Sequence, residues 1–327
     1  MDRLTLADLD AGSTEVEALV DRTPGADRWC SGPDWTLPAH LAFAPGSHPI
    51  LLREEHALAC LARYREGGMN VVGGLEPLWG FACPLLGPDP AAGAGLVRHA
   101  LAGDRTWDVI ALGGMPLNRA VIETVAGQLA PLGQIGLAEG IVRQVADLGA
   151  DLEGFWARRS SRFRRNLRRA QRLATDAGLE FVDVSADPDL HARLLRIEGD
   201  SWKGRAGDGL ASPTMASFYR LQLDRLRRQG RVRAFVATLD SRDVGFIVGG
   251  CRDGRYRGLQ LSYTESVRDL SVGHLLQARE VERLVAEGVH TYDLGMDLPY
   301  KRSWADRAVP SATLVVRRGS GLRRSLR

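Results

Sequence analysis

Three closely spaced β-strand patterns constrain the second half of this chain more than any other feature. Runs of apolar and β-branched residues cover positions 232–239, 244–251 and 255–263, and Ser-Arg-Asp and Asp-Gly turns separate them. Such turns are typical of antiparallel neighbours, because small polar residues and glycine tolerate a tight backbone. A helix pattern at 271–287 and a strand pattern at 290–294 follow. The sequence therefore predicts a sheet in which an antiparallel meander precedes a helical connection.

The first half repeats this coarse order of elements. Its strand patterns lie at 49–52, 57–64, 78–86, 107–114 and 135–145, and its helix patterns lie at 87–103 and from the capping residue Asn118 to 129. The second half adds an amphipathic helix at 151–177, a strand at 179–184, helices at 190–202 and 215–229, and a strand at 313–317. Domains of about 150 residues are common. We therefore expect two α/β units, residues 1–148 and residues 149–327 with a basic tail.

Several classes of protein are disfavoured by what the sequence lacks. It has no stretch of about 18 apolar residues that could span a membrane, and acidic residues interrupt its early apolar stretch, unlike a signal peptide. Four widely spaced cysteines without a CxxC pair suggest reduced thiols in a cytoplasmic protein. No P-loop, dinucleotide fingerprint, hydrolase elbow or zinc motif occurs, and the seven histidines form no i,i+4 pair. We therefore expect no metal.

The make-up of the positive charge is more informative than the net charge of +3. Of the 43 lysines and arginines, only Lys203 and Lys301 are lysine. A GC-rich genome explains a general preference for arginine. Burial shifts the pKa of lysine readily, and its charge is compact, so the two residues are not interchangeable at a functional position. Both lysines are therefore candidates for the functional site.

The loop between strand 258–263 and the next helix is a candidate anion site. It contains Arg268, and the helix begins with Ser271, Val272, Gly273 and His274. A helix N-terminus presents free N–H groups and the positive end of its dipole, a suitable environment for a pyrophosphate. Gly273 allows a ligand to approach the backbone closely. The alternative is an ordinary helix start capped by Ser271.

Motifs in the second half resemble a known family. They read FWxxRSSRFRRNLRR near residue 155, SWKG at 201–204, RDLSVG at 268–273 and YDLGMDLPYKRSW at 292–304. In this order they resemble GNAT-superfamily acyltransferases of the CelD/BcsL-like group, which is distantly similar to Fem-type aminoacyl transferases. The pyrophosphate loop of the superfamily usually reads R/Q-x-x-G-x-G/A, and Ser271 stands here in place of its first glycine. The resemblance covers about residues 150–318, and the first half matches in layout only.

The resemblance implies a fold and a cofactor. The fold would be two tandem GNAT-like units, each a mixed, mostly antiparallel sheet flanked by helices. The first unit lacks the loop arginine or glutamine, so we expect it to be non-catalytic. In the second unit, strands 258–263 and 290–294 would diverge and hold acyl-CoA, with acetyl-CoA as the expected form, as co-substrate. The expected acyl-CoA contacts are Leu261, Tyr263, Arg268, Ser271, Val272, Gly273 and His274.

The resemblance also places the chemistry. Transfer to an amine needs a group that accepts its proton and a donor for the departing thiolate. We expect Glu265 or Asp297 to be the base and Tyr300 to be the acid. Lys301 would bind an acidic substrate group or pair with Asp297. Surface ion pairs for the carboxylates and core packing for Tyr300 are the alternatives.

The segment around the other lysine is the expected acceptor-binding loop. Trp202, Lys203 and Arg205 would contact a small-molecule or peptide amine there. For Trp202, hydrophobic packing at the end of a helix is an equal alternative. The sequence does not identify the acceptor, the acyl chain or the oligomeric state.

Eight arginines between Arg158 and Arg172 leave further hypotheses open. They could contact tRNA, since Fem-type relatives use aminoacyl-tRNA as donor, or anionic lipid. They could equally form a solvated helix face. The alternatives to an acyl-CoA-dependent N-acyltransferase are therefore an aminoacyl-tRNA-dependent Fem-like transferase and a non-catalytic binding protein on a GNAT scaffold.

Overall fold

The chain divides into two compact units. A computed structural model describes residues 1–207 and 209–319. Unit 1 comprises residues 1–141 and the chain from residue 310 onward, and unit 2 comprises Val142–Val309. This partition differs from a single division at residue 148, because a late strand is part of the first unit. Most of the basic tail lies outside the described residues.

Unit 1 is a mixed, mostly antiparallel sheet with helices. Its strand order is β1-β2-β3-β4-β6-β13, with β5 beside β3, and only the β4–β6 pair is parallel. The strands are β1 (Asp2–Leu4), β2 (His48–Glu54), β3 (Ala57–Glu66), β4 (Met69–Gly74), β5 (Leu85–Leu86) and β6 (Val109–Pro116). The helices are α1 (Leu6–Ala11), α2 (Ser13–Arg22), α3 (Pro33–Phe43), α4 (Pro90–Leu101) and α5 (Arg119–Leu129). Two further strands, β7 (Gln134–Asp147) and β13 (Arg307–Arg317), each begin in one unit and end in the other.

Unit 2 has the same kind of architecture. Its strand order is β7-β12-β11-β10-β9-β8, and only the β11–β12 pair is parallel. The strands are β8 (Glu180–Asp183), β9 (Val232–Leu239), β10 (Arg242–Arg252), β11 (Arg255–Tyr263) and β12 (Thr291–Met296). The helices are α6 (Leu152–Ala157), α7 (Ser161–Asp176), α8 (Leu190–Gly199), α9 (Trp202–Arg205), α10 (Pro213–Arg228) and α11 (Val272–Ala286). The predicted meander and fold class are confirmed.

The helix α11 connects the two parallel strands and carries much of the core of unit 2. Its fully buried apolar residues recur at helical spacing, and they are Val272, Leu275, Leu276, Val281 and Leu284. Those nearer its start pack with Ala170 and Ala174 of α7 and with apolar residues of β9 and β10. The N-terminal end of α11 is thereby fixed against the sheet.

Two sequence predictions of local structure are wrong, and the helix α3 was not predicted. The helix predicted over 151–177 is two helices, because Ser160 caps a new helix by accepting a hydrogen bond from the Phe163 N–H (3.2 Å). In the strand predicted at 78–86, only Leu85–Leu86 is extended in a ladder. The preceding loop folds around the buried Glu76 carboxylate, which accepts hydrogen bonds from four backbone N–H groups. The helix α3 gave no signal, since its residues are buried on every side from Pro33 to His40.

The buried carboxylate of Glu280 makes the stability of unit 2 dependent on pH. It accepts a hydrogen bond from Arg283, which also pairs with Asp183 (3.1 Å). Burial raises the pKa of Glu280 to about 7, although the positive charge of Arg283 opposes the shift. The folded state therefore binds a proton that the unfolded state releases near pH 4.5.

Stability should consequently fall as the pH rises from about 4.5 to about 7 and level off above that range. We expect Glu280→Gln to abolish this fall and to raise the free energy of unfolding at pH 8 by roughly 1–3 kcal/mol. Urea unfolding of both proteins at pH 5 and pH 8 measures the difference. An unchanged pH dependence in the variant would contradict the assignment.

Candidate active site

The strands β11 and β12 diverge after a short paired segment. Within the described residues, their ladder runs only from Arg255 opposite Thr291 to Arg257 opposite Asp293. Beyond that point β11 continues to Tyr263 on its β10 side, and β12 continues to Met296 on its β7 side. The divergence expected for 258–263 and 290–294 is confirmed. It leaves backbone groups of two strands facing a cleft rather than each other.

An ion-pair cluster stands where the strands part. The buried Asp293 carboxylate pairs with Arg143 and with Arg257, whose guanidinium lies 3.1 Å away. The same carboxylate accepts a hydrogen bond from the Gly295 N–H (2.8 Å). Gly295 has a φ of +78°, and the β12–β7 register shifts next to it. The turn at Gly295 therefore redirects β12, and Asp293 faces a backbone N–H and two guanidinium groups.

The two lysines of the chain bind the unpaired segments of these strands. Lys203 Nζ donates to the Leu261 carbonyl of β11, and Lys301 Nζ donates to the Met296 carbonyl of β12, each at 3.1 Å. Burial lowers the pKa of Lys203. Burial, followed by the charge of Arg257, lowers the pKa of Lys301 to about 8, and the charge of Lys203 adds to this. The two ammonium groups are thus within electrostatic range of each other.

The N-terminus of α11 is open. No side chain caps this helix, and within the described residues the N–H groups of Val272 and Gly273 have no hydrogen-bond acceptor. A Cβ at Gly273 would lie 3.1 Å from the Tyr263 ring and 3.2 Å from the Leu261 side chain, so the helix start packs closely on β11. Arg268 is exposed and lies 3.6 Å from Glu265. These groups form a cationic, donor-rich loop.

Ser271 adopts the conformation that glycine would adopt at this position. Its φ of 56° and ψ of 36° lie in the left-handed region. An L-residue there costs roughly 1–2 kcal/mol relative to its usual conformation. The loop geometry is therefore retained despite the serine.

Ser271→Gly should relieve this strain without disturbing the loop. The greater freedom of glycine in the unfolded chain offsets part of the gain. We expect the free energy of unfolding to rise by roughly 0.5–1 kcal/mol, measured by urea unfolding. Ser271→Val, which is β-branched, should instead destabilise the protein, and equal stabilities for the two variants would contradict the assignment.

His274 belongs to an aromatic group rather than to the loop surface. Its Nδ1 accepts a hydrogen bond from Trp304 Nε1 (3.2 Å), and the two rings stack with centroids 6.0 Å apart. The rings of Phe163 and Tyr300 have their centroids 5.8 Å and 6.4 Å from it. Burial lowers the pKa of His274. A neutral ring in this setting supplies no positive charge for a phosphate.

Tyr300 is suited to donating a proton. Burial, together with neighbouring Tyr263, raises its pKa to about 12, so the phenol stays protonated near neutrality. Lys301 Nζ lies 5.9 Å from the centroid of its ring. The two groups are thus neighbours close to Met296, at the end of β12, where this strand no longer pairs with β11.

The carboxylates expected to act as bases are both engaged in ion pairs. Glu265 is exposed and lies 2.9 Å from Arg205 and 3.6 Å from Arg268. Asp297 accepts hydrogen bonds from Arg302 (2.9 Å) and Gln144 (3.0 Å), and Arg302 lowers its pKa. The Lys301 charge also lowers the pKa of Asp297, while its Nζ donates to the Met296 carbonyl. The geometry therefore favours Lys301 as the proton acceptor over either carboxylate.

Sequence reasoning missed a buried carboxylate near Lys203. Glu198 is fully buried, and its Oε1 accepts hydrogen bonds from the Leu210 N–H (3.2 Å) and Gln260 Nε2 (3.3 Å). Its Oε2 accepts a hydrogen bond from Ser201 Oγ (3.4 Å). The signal was a glutamate on the buried face of α8, next to Ile197. This network holds the segment that carries Lys203, while the side chain of Trp202 falls outside the described part of the structure.

Comparison with known proteins identifies the fold. Residues 161–302 match the family model described as the acetyltransferase (GNAT) domain. This stretch is similar to that domain, and it makes up less than half of the chain. A search of curated proteins found no match to the chain. The match and the diverging strands support the GNAT superfamily, whereas the CelD/BcsL-like group remains a prediction.

Solved structures resemble the chain over both GNAT-like units. FemX is 12% identical with a TM-score of 0.62, and the match covers 95% of this chain and 97% of FemX. The C-terminal domain of a putative lysylphosphatidylglycerol synthetase from Agrobacterium fabrum is 13% identical, with 96% and 93% covered and a TM-score of 0.59. A tandem GNAT protein from the clavulanic acid biosynthesis pathway is 14% identical, with 96% and 97% covered and a TM-score of 0.54. At these identities the likeness concerns the fold.

The described residues contain no candidate membrane-spanning helix and no candidate metal-binding group. Within residues 1–207 and 209–319, no helix has the length and hydropathy that a bilayer span requires. The same residues contain no group of three histidine, cysteine or acidic side chains arranged to hold a metal ion. All four cysteines are free thiols.

Proposed function

We propose that the protein is an acyl-CoA-dependent N-acyltransferase whose chemistry takes place in unit 2. One observation carries the proposal. The edge of β11 that faces the cleft has no strand partner after Arg257, and a short loop connects this strand to the uncapped N-terminus of α11. Strand backbone groups can bind an extended amide-containing chain, and the helix start can bind its diphosphate. Acyl-CoA has an extended chain with amide groups, a diphosphate and a thioester.

The residues present fit this co-substrate. Val272 and Gly273 would donate backbone N–H groups to the diphosphate, and Arg268 would add positive charge. Leu261 and Tyr263 of β11, which has no strand partner on its β12 side at these positions, would contact the pantetheine. Unit 1 offers a contrast, because the Asp89 carboxylate occupies the start of α4 by accepting the Ala91 N–H (2.9 Å). This difference supports a non-catalytic role for unit 1.

Lys301 and Tyr300 would carry out the proton transfers. The acceptor ammonium would give a proton to the neutral Lys301 amine, and the resulting amine would attack the thioester carbonyl. The new C–N bond would form as the C–S bond breaks, and the Tyr300 phenol would protonate the departing thiolate. The second proton of the attacking nitrogen would then pass to the Tyr300 phenolate, which restores the phenol. A pKa of about 8 places Lys301 in the range where a general base is effective.

The acceptor would bind beside the segment of Lys203 and Arg205. The buried Glu198 carboxylate holds this segment by accepting hydrogen bonds from the Ser201 hydroxyl and the Leu210 N–H. The acceptor would be a small-molecule or peptide amine, and transfer of an acetyl group is the simplest case.

Ligand-dependent thermal stability tests the proposal. At 100 times its dissociation constant, a ligand stabilises the folded state by about 2.7 kcal/mol. We expect acetyl-CoA and free CoA to raise the melting temperature. Stabilisation by aminoacyl-tRNA and not by CoA would replace this proposal with the Fem-like alternative. No shift with any of them would favour a non-catalytic binding protein.

A further inference from the structure

The helix α7 differs from the rest of the chain in its charges. Within the described residues, six of its arginines have no acidic partner: Arg162, Arg164, Arg165, Arg168, Arg169 and Arg172. The two arginines just before the helix behave differently, since Arg158 and Arg159 both pair with Asp306. A general preference for arginine over lysine does not explain the lack of acidic partners.

The arrangement opposes the stability of the helix itself. The six arginines occur at spacings of three and four residues, where like charges destabilise a helix. The first turn has no acidic residue and the last turn has no basic one, the reverse of what the helix dipole favours. The apolar side of α7, including Ala170 and Ala174, is buried and holds the helix in place. The exposed side therefore retains a charge density that only an anionic partner would stabilise.

A groove of about 310 Å³ lies beside the arginines, between α7 and α11. Trp156, Leu167 and Ala278 contribute apolar walls, and Arg164 and Arg168 stand at its side. The Arg164 Nε is buried and has no hydrogen-bond partner within the described chain. The surface thus combines a row of guanidinium groups with a concave, partly aromatic pocket.

We propose that α7 binds a single strand of nucleic acid, with phosphates on its arginines and a base in the groove. Arginine binds phosphate in a bidentate geometry, and aromatic surfaces accept bases of any sequence. An anionic bilayer fits less well, because the apolar side chains of α7 point into unit 2 and Leu173 is its exposed apolar residue. The inference goes beyond the acyl transfer proposed above and does not depend on it.

Fluorescence anisotropy of the full chain with a labelled single-stranded RNA of mixed sequence tests the proposal. The test variant replaces Arg165, Arg168, Arg169 and Arg172 with glutamine. A matched control replaces four exposed arginines elsewhere, Arg65, Arg105, Arg119 and Arg242, and so removes the same net charge. We expect the test variant to lose more than tenfold in affinity. Its slope of log K against log salt should fall by about 3, since each phosphate contact contributes about 0.7.

Further arms separate the parts of the proposal. The test variant should melt no lower than the wild type, because its helix has lost repulsion, so unfolding would not explain the loss. An abasic strand should bind severalfold more weakly with the same salt slope, and single-stranded DNA should bind with a similar slope. Equal losses in the two variants, or no RNA binding at low salt, would overturn the proposal. Binding to phosphatidylglycerol vesicles but not to RNA would overturn it in favour of a membrane surface.

Discussion

Lys301→Met is expected to lower kcat/KM by about 10²–10⁴-fold, the range that general acid–base catalysis contributes. The methionine side chain is of similar length and carries no charge. The expected loss arises because no other group at this position has a pKa near neutrality, since Asp297 is held by Arg302. Steady-state kinetics with acetyl-CoA and an identified amine measure the effect. Binding of CoA should be unchanged, because Lys301 contacts the last residue of β12, Met296, and not the start of α11.

The pH profile and a second variant distinguish proton transfer from positioning. In the wild type, kcat/KM should rise with pH through about 8, because only the neutral amine of Lys301 accepts a proton. Lys301→Arg keeps the positive charge but cannot deprotonate, so its activity should stay low at every pH. Arg307→Met alters an exposed arginine of unit 2 that has no ion pair within the described residues, and it serves as control. Full activity of Lys301→Arg would contradict the assignment of a proton acceptor and leave only a binding role.

Asp306→Asn is expected to lower the stability of unit 2 by about 2–4 kcal/mol. The carboxylate accepts two hydrogen bonds from Arg159 (2.9 Å and 2.8 Å) and one from the Asp147 N–H (2.8 Å). The Arg159 side chain is 3% exposed and lies 4.3 Å above the Phe155 ring. Removing one member of a buried pair costs about 3–5 kcal/mol, and we reduce this because Asp306 retains some contact with solvent.

A matched substitution and the pH dependence test the same ion pair. Asp253→Asn removes a partner of Arg252, but Asp253 is 73% exposed, so the change should cost less than about 1 kcal/mol. Burial alone would raise the pKa of Asp306, but the hydrogen bonds from Arg159 and Asp147 outweigh it and lower the pKa. The contribution of Asp306 is therefore complete above about pH 4 and disappears as the pH falls through the folded-state pKa. Equal urea midpoints for both variants at pH 7 would contradict the prediction.

Turn sequences and helix-capping residues predicted the elements whose boundaries depend on neighbouring residues in the sequence. The meander has turn sequences between its strands, and Asn118 caps α5 by accepting the N–H groups of Ala120 and Val121. The diverging strands followed from the family resemblance. The helix α3 could not be recognised, because burial on all sides removes its amphipathic period and Pro38 lies within it. Its stability comes from contacts that the sequence does not record.

The chemistry of the site was harder to predict than its position. Glu265 and Asp297 are acidic residues near the cleft, but their partners determine whether they can accept a proton. Gln144, which binds Asp297, comes from β7 and is distant in sequence. The left-handed backbone of Ser271 likewise follows from packing of the loop and not from the residue itself. Pairing and backbone strain are properties of the assembled fold.

The strands that begin in one unit and end in the other have a consequence for the order of folding. Residues 311–317 of β13 pair with β6, and Leu314 and Val316 belong to the hydrophobic core of unit 1. A ribosome therefore releases all of unit 2 before it supplies the last strand of unit 1. During synthesis β6 has an exposed edge, which is a template for pairing with other chains. The unit made first is completed last.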